Sequence, residues 1–147
     1  MLFTSTFALL LTILNLSAAQ EDCSRSYVIA TGDTCNSICQ AQGVSNYQLG
    51  LVNPLIDANC DNLIPGQVIC LGFFGHDCTE THTVVAGDSC NSVVAAAGID
   101  DAVFMCNNKN INENCSNLDI GYVVCVSAGL MGYPGPCPSN EPALFVQ

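Results

Sequence analysis

The chain repeats itself. Residues Cys23 to Cys70 align with Cys78 to Cys125 at a constant offset of 55 positions and without a gap. Four cysteines set the register, with Cys23, Cys35, Cys60 and Cys70 matching Cys78, Cys90, Cys115 and Cys125. Gly32, Asp33, Asn36, Ser37, Gly43, Asn53, Ile56, Leu63 and Gly66 recur unchanged in the second copy. A repeat of this kind divides the 147 residues into two very small units rather than one ordinary domain. A unit of about 48 residues buries too little apolar surface to be stable by packing alone, so covalent staples are expected.

Each copy reads as strand, helix, helix, strand. Tyr27 to Ala30 and His82 to Val85 carry the β-branched residues of a strand. A tight turn follows at Gly32-Asp33 and Gly87-Asp88, and Thr34, Ser89 or the preceding Asp can cap a helix over Cys35 to Gln42 or Cys90 to Ala97. Gly43 and Gly98 end those helices, and Ser45 and Asp100 cap a second, shorter one. An Asn-rich loop then leads to a last strand over Gln67 to Leu71 or Tyr122 to Val126. The fold class is therefore α+β, two tandem βααβ units, with Val28, Ile38, Leu49, Leu63 and Val68 as the expected core of the first.

Antiparallel pairing of first and last strand suggests Cys23 with Cys70 and leaves Cys35 with Cys60; the second copy would pair Cys78 with Cys125 and Cys90 with Cys115. Four cysteines allow three connectivities, and the sequence does not choose among them. Cys39, Cys106 and Cys137 have no counterpart, so one of the three is left single or joins two molecules.

Residues 1–19 read as a secretory signal peptide, an apolar run centred on Phe7 to Leu14 with Ser17 and Ala19 as small residues before the cut. Eleven cysteines downstream of it fit an oxidising compartment. Thirteen acidic residues stand against Arg25 and Lys109 alone, giving a net charge of -11. That balance repels nucleic-acid phosphates and anionic lipid, so neither is expected as a partner and the ligand should be neutral or cationic.

Tyr27-Val-Ile-Ala-Thr-Gly-Asp-Thr, then Asn53-Pro54-Leu55-Ile56 and Leu63-Ile64-Pro65-Gly66-Gln67, resembles the lysin motif, LysM. The second copy keeps Val84-Val85-Ala86-Gly87-Asp88-Ser89, Asn108, Ile111, Leu118 and Gly121, with Lys109 where the family favours Pro and Tyr122 where it favours Gln. The flanking cysteines are similar to those of fungal secreted members. The resemblance implies module 1 over residues 23–71, a linker over 72–77, module 2 over 78–126 and an irregular Pro-rich tail over 127–147.

It further implies a sugar groove between the loop after the first strand and the loop before the last, binding N-acetylglucosamine glycans such as chitin. Candidate contacts are Gly32, Asp33, Thr34, Asn53, Pro54, Leu55, Ile56 and Asp57 in the first copy. In the second they are Gly87, Asp88, Ser89, Asn108, Lys109, Asn110, Ile111 and Asn112, with less apolar surface because Lys109 and Asn110 replace Pro54 and Leu55. Small side chains, amides and accessible backbone suit an uncharged sugar rich in amide and methyl groups. The expected function is a secreted chitin binder that hides fragments from a host or shields a fungal wall, self-associating through ligand or disulfide. A LysM scaffold used for protein contact and a peptidoglycan binder are the alternatives.

Catalysis is not expected. A glycosidase needs two carboxyl groups at a set separation, and Glu80, Glu113, Asp100 and Asp101 fall in no such pattern. No metal or cofactor is assigned, since His76 and His82 form no ligand set. Asn114-Cys115-Ser116 has the form of an N-glycosylation acceptor.

Overall fold

The computed structural model describes residues 22–137; the leader expected over residues 1–19 and the end of the tail lie outside them. The elements are β1 (Cys23–Val28), α1 (Cys35–Gln42), α2 (Asn46–Val52), β2 (Val68–Phe73), β3 (Thr81–Thr83), α3 (Cys90–Ala97), α4 (Asp101–Asn107) and β4 (Val123–Cys125). The protein thus mixes short helices with two separate two-stranded antiparallel sheets, β1 with β2 and β3 with β4.

Local chemistry explains the helix ends. Thr34 and Ser89 each accept from the backbone N–H three residues on, at Ser37 and Ser92, and each serine side chain accepts from the cap's own N–H in return. Such a box satisfies two of the amides that a helix start leaves unpaired. α1 and α3 stop at Gly43 and Gly98, both in the left-handed region that glycine enters without steric cost. Ser45 caps α2 through the Gln48 N–H. The expected cap at Asp100 is corrected: its carboxylate makes no capping hydrogen bond. Asp100 is exposed, so water can serve those amides, and Asp101 in the first turn supplies the negative charge that a helix start favours.

The strands begin and end differently from the sequence reading. β1 starts earlier, at Cys23, after register shifts around Arg25, and β2 runs on to Phe73. Gly72 and Phe73, expected in the linker, are therefore paired strand residues. The expected core is also corrected at Val28 and Val68, which are 57% and 53% exposed. They lie directly opposite each other, and the two-residue period of a strand turns both to solvent while Ile29, Ile69 and Leu71 face inward. Ile38 and Leu49 are buried as read, and Leu63 packs half-buried at the margin. Phe104, Val84, Val93 and Val124 centre a second core.

Five disulfides staple these cores. Cys23–Cys70 and Cys78–Cys125 each span 47 residues, and Cys35–Cys60 and Cys90–Cys115 each span 25. Loops of that length correspond to about 3–4 kcal/mol each in the chain-entropy picture. Cys106–Cys137 ties the tail to α4. Cys39 is a free thiol with no exposed surface, and burial pushes its pKa up to about 12. It reaches no second molecule unless the core opens.

The halves are joined by partly buried polar groups around Asp77 and the buried Gln48. Asp77 accepts hydrogen bonds from Ser24, from Gln48 and, in two places, from the Arg25 guanidinium, at 2.7–2.8 Å. Gln48 Oε1 in turn accepts from the Cys78 N–H and the Tyr133 hydroxyl. Burial alone would raise the Asp77 carboxyl, but the hydrogen bonds from Arg25, Gln48 and Ser24 outweigh it and hold it below the usual carboxylate range. A Cβ at Gly72 would overlap the Asp77 and Gln48 side chains, so any larger residue there forces them to shift. Val123 packs into the core of the first half.

Candidate functional site

The α1 start, α2, the loop over residues 53–62 and, from the second half, Asn110 and Tyr122 just before β4 converge on one cleft. Two adjoining cavities of about 260 and 270 Å³ share Cys35, Asn46, Ala58, Cys60 and Tyr122. Thr34, Asn36, Asn59 and Asp61 complete the first, and Leu49, Gly50, Ile56, Asp57 and Asn110 the second. Each is slightly smaller than a usual small-molecule pocket, and the five shared lining residues make them parts of one site.

The loop's shape is set by its own amides. Asp57 Oδ1 accepts from the Asn59 and Asp61 N–H groups, while Asn62 donates to the Leu55 carbonyl and accepts from the Asp57 N–H. Cys60 sits in the left-handed region at φ 61°, tied to the first residue of α1 by its disulfide, and Cys115 repeats this at φ 55°. The staple holds the loop against the helix start, and the cleft opens between them.

Of the predicted contacts, Thr34, Ile56, Asp57 and Asn110 line the cleft. Gly32, Pro54 and Leu55 lie exposed beside it without lining it, Leu55 at 86%. Others make hydrogen bonds within the fold. Asp33 accepts from the Tyr27 hydroxyl at 2.8 Å and the Ala30 N–H at 2.7 Å, and so shapes the turn. The Asn53 amide donates to the Leu49 and Cys70 carbonyls and accepts from the Cys70 N–H, joining α2 to β2.

The second half repeats these uses. Asp88 accepts from the Val85 N–H and pairs with His82 Nε2 at 2.7 Å; these bonds, the backbone one foremost, hold its carboxyl below the usual range. Asn108 is buried and spends its amide on Phe104 and Cys125. Ile111 is core at 1% exposure, and Asn112 holds its own loop through Ser116 and Asn117. The Lys109 ammonium donates to the Tyr133, Pro134 and Gly135 carbonyls and so clasps the tail. Gly87 is an exposed left-handed turn glycine and Ser89 an exposed cap.

The sequence reading missed Asn36, Asn46, Ala58, Asn59 and, above all, Tyr122. The one available signal was that Tyr122 departs from the family's usual residue. Its approach to the first half depends on how the halves dock, which no local pattern encodes. Among the described residues no cluster of His, Cys, Asp and Glu suits a metal, and no helix is long and apolar enough to cross a membrane.

A family model described as LysM domain matches residues 27–72, the stretch that forms the first half's side of the cleft. A secreted LysM effector of Beauveria bassiana is 30% identical over 127 residues, covering 74% of this chain and 75% of that protein. The chain belongs to the LysM family. A secreted LysM effector of Trichophyton rubrum is 32% identical over 129 residues, covering 72% of this LysM protein and 51% of the relative. A relative of Gibberella moniliformis named a non-secreted LysM effector is 31% identical over 150 residues, covering 78% of this chain and 20% of its own. The chain thus spans about half or less of the length of several such relatives. Both of these relatives, and that of Beauveria bassiana, are named LysM effectors.

Proposed function

We propose that the protein is a secreted, non-catalytic binder of chitin and related N-acetylglucosamine oligomers, exported by way of residues 1–19 and built from two LysM modules. The observation that carries this reading is the cleft itself, whose walls are amides, small side chains and apolar surface. Asn36, Asn46 and Asn59 offer donors and acceptors for N-acetyl and hydroxyl groups, and Ile56, Ala58 and Tyr122 offer surface for pyranose rings and acetyl methyls.

Charge narrows the ligand further. No basic side chain lines either cavity, and both basic residues of the chain are tied up, Arg25 with Asp77 and Lys109 with tail carbonyls. An anionic glycan such as peptidoglycan would meet Asp57 and Asp61 with no counter-charge, whereas neutral chitin or its partly deacetylated, cationic form would not be repelled. Sequestration of chitin fragments, or shielding of a fungal wall, is the biological role that follows. Asn114 remains exposed and open to N-glycosylation.

The test is titration calorimetry with chitin hexamer, with chromatography of the sugar afterwards. Saturable heat with intact hexamer supports the proposal. Shorter oligomers growing with protein concentration would refute the non-catalytic part, and absence of heat the binding part.

A further inference from the structure

Tyr122 belongs to the second half by sequence but to the first half's cleft by position. Two side chains of the first half hold the strip that carries it by hydrogen bonds. Gln40 Nε2 donates to the Gly121 carbonyl at 2.8 Å, and Asn46 Oδ1 accepts from the Val123 N–H at 2.7 Å. Asn46 is itself oriented by a 2.7 Å hydrogen bond from its amide nitrogen to Asn36 Oδ1. Below the strip, Val123 is 2% exposed and packs in the first half's core. The residue between these anchors is Tyr122, which lines both cavities while its body also packs on the second half's core.

We infer that Tyr122 is a sugar-contacting residue that sets the affinity of the first half's cleft, making the site a composite of both halves. The inference rests on the glycan-binding reading above. An aromatic ring presents a broad apolar face with an electron-rich centre, which suits the C–H face of a pyranose, and its hydroxyl suits the ring's polar edge. A ring fixed at both neighbours costs little conformational entropy to present. Asn110, from the loop of the second half, stands at the same cleft, so an oligomer lying in it would touch both halves at once.

The test uses the full secreted chain and chitin hexamer. Intermolecular NOEs between Tyr122 ring protons and sugar protons are expected for the wild type under saturating hexamer. Tyr122→Phe should stay within about 3-fold of wild type, and Tyr122→Leu, which keeps apolar bulk for the second core, should bind about 10-fold more weakly, the weight of one aromatic contact. Gln40→Ala, whose side chain lies outside both cavities, should weaken binding by a smaller factor by loosening the strip. Saturable wild-type binding with no NOE to Tyr122, or with Tyr122→Leu unchanged, would overturn the inference and leave the glycan reading standing. No wild-type binding would instead remove that reading, and the inference with it.

Discussion

The two halves use one plan with different chemistry at matching positions. Tyr27 donates to Asp33 at 2.8 Å, and His82 meets Asp88 at 2.7 Å in the same place. Asn53 and Asn108 fix the second helix of each half to its last strand through the same three backbone atoms. The halves diverge where the repeat breaks. Pro54 and Leu55 are exposed on the first, while their counterpart Lys109 clasps the tail and Asn110 turns to the shared cleft. Gly66 has nothing near it, whereas Gly121 lies against Gln40 and Asn36. Kept positions such as Asn53 and Asn108 hold each unit together, whereas changed ones such as Gln40, Asn46 and Tyr122 join the units to each other or line the cleft.

If that division is right, staples at matching positions should matter equally. Removing Cys35–Cys60 or Cys90–Cys115 by paired Ala substitutions should each cost about 3–4 kcal/mol in denaturant unfolding, because both close loops spanning 25 residues. A large inequality would break the comparison.

Asn53→Ala and Asn108→Ala sharpen it. Each leaves backbone groups without partners, at roughly 2–3 kcal/mol. Asn108 should be the costlier, since it is 1% exposed and Asn53 only half-buried. Gly72→Ala, at the seam, should cost roughly 1–3 kcal/mol through overpacking against Asp77 and Gln48.

The seam also predicts a pH dependence. Asp77 has a folded pKa below its unfolded value, so its contribution is present in full above the ordinary carboxylate range and is lost as pH falls through the folded pKa. Stability should therefore decline in acid from about pH 4 downward, the ordinary range for Asp, and Asp77→Asn should flatten that part of the curve. A decline of the same size in the variant would show that other carboxylates dominate. The smallest effect concerns Cys39: a thiol reagent should find no reactive group in the folded protein and one per chain after unfolding without reductant.

The helices, their boxes and their glycine stops were legible because capping is local chemistry written in adjacent residues. Thr34 with Ser37 and Ser89 with Ser92 carry it in both copies. Val28 and Val68 were misread because a strand's facing depends on register, and a shift of one residue exchanges the faces. The cleft was half legible. Thr34, Ile56 and Asp57 follow from the motif, but Tyr122 comes from the other half, as does Asn110, which the motif assigns to the second copy's own groove, across an interface formed by Gln40, Asn46 and Val123. Asn53 and Asn108 look like ligand amides in sequence, and only the strand opposite shows that each joins a helix to that strand.

The central claim, that the cleft of the first half binds the sugar, is tested most directly by filling it. Ala58 lines both cavities on an exposed loop, so Ala58→Arg places a bulky side chain in the opening without disturbing either core. Calorimetric titration of wild type and variant with chitin hexamer, with melting temperatures as the folding control, should show at least about a tenfold loss of affinity, roughly 1.4 kcal/mol, at an unchanged melting temperature. Equal affinity in the two proteins would contradict the account and move the sugar elsewhere.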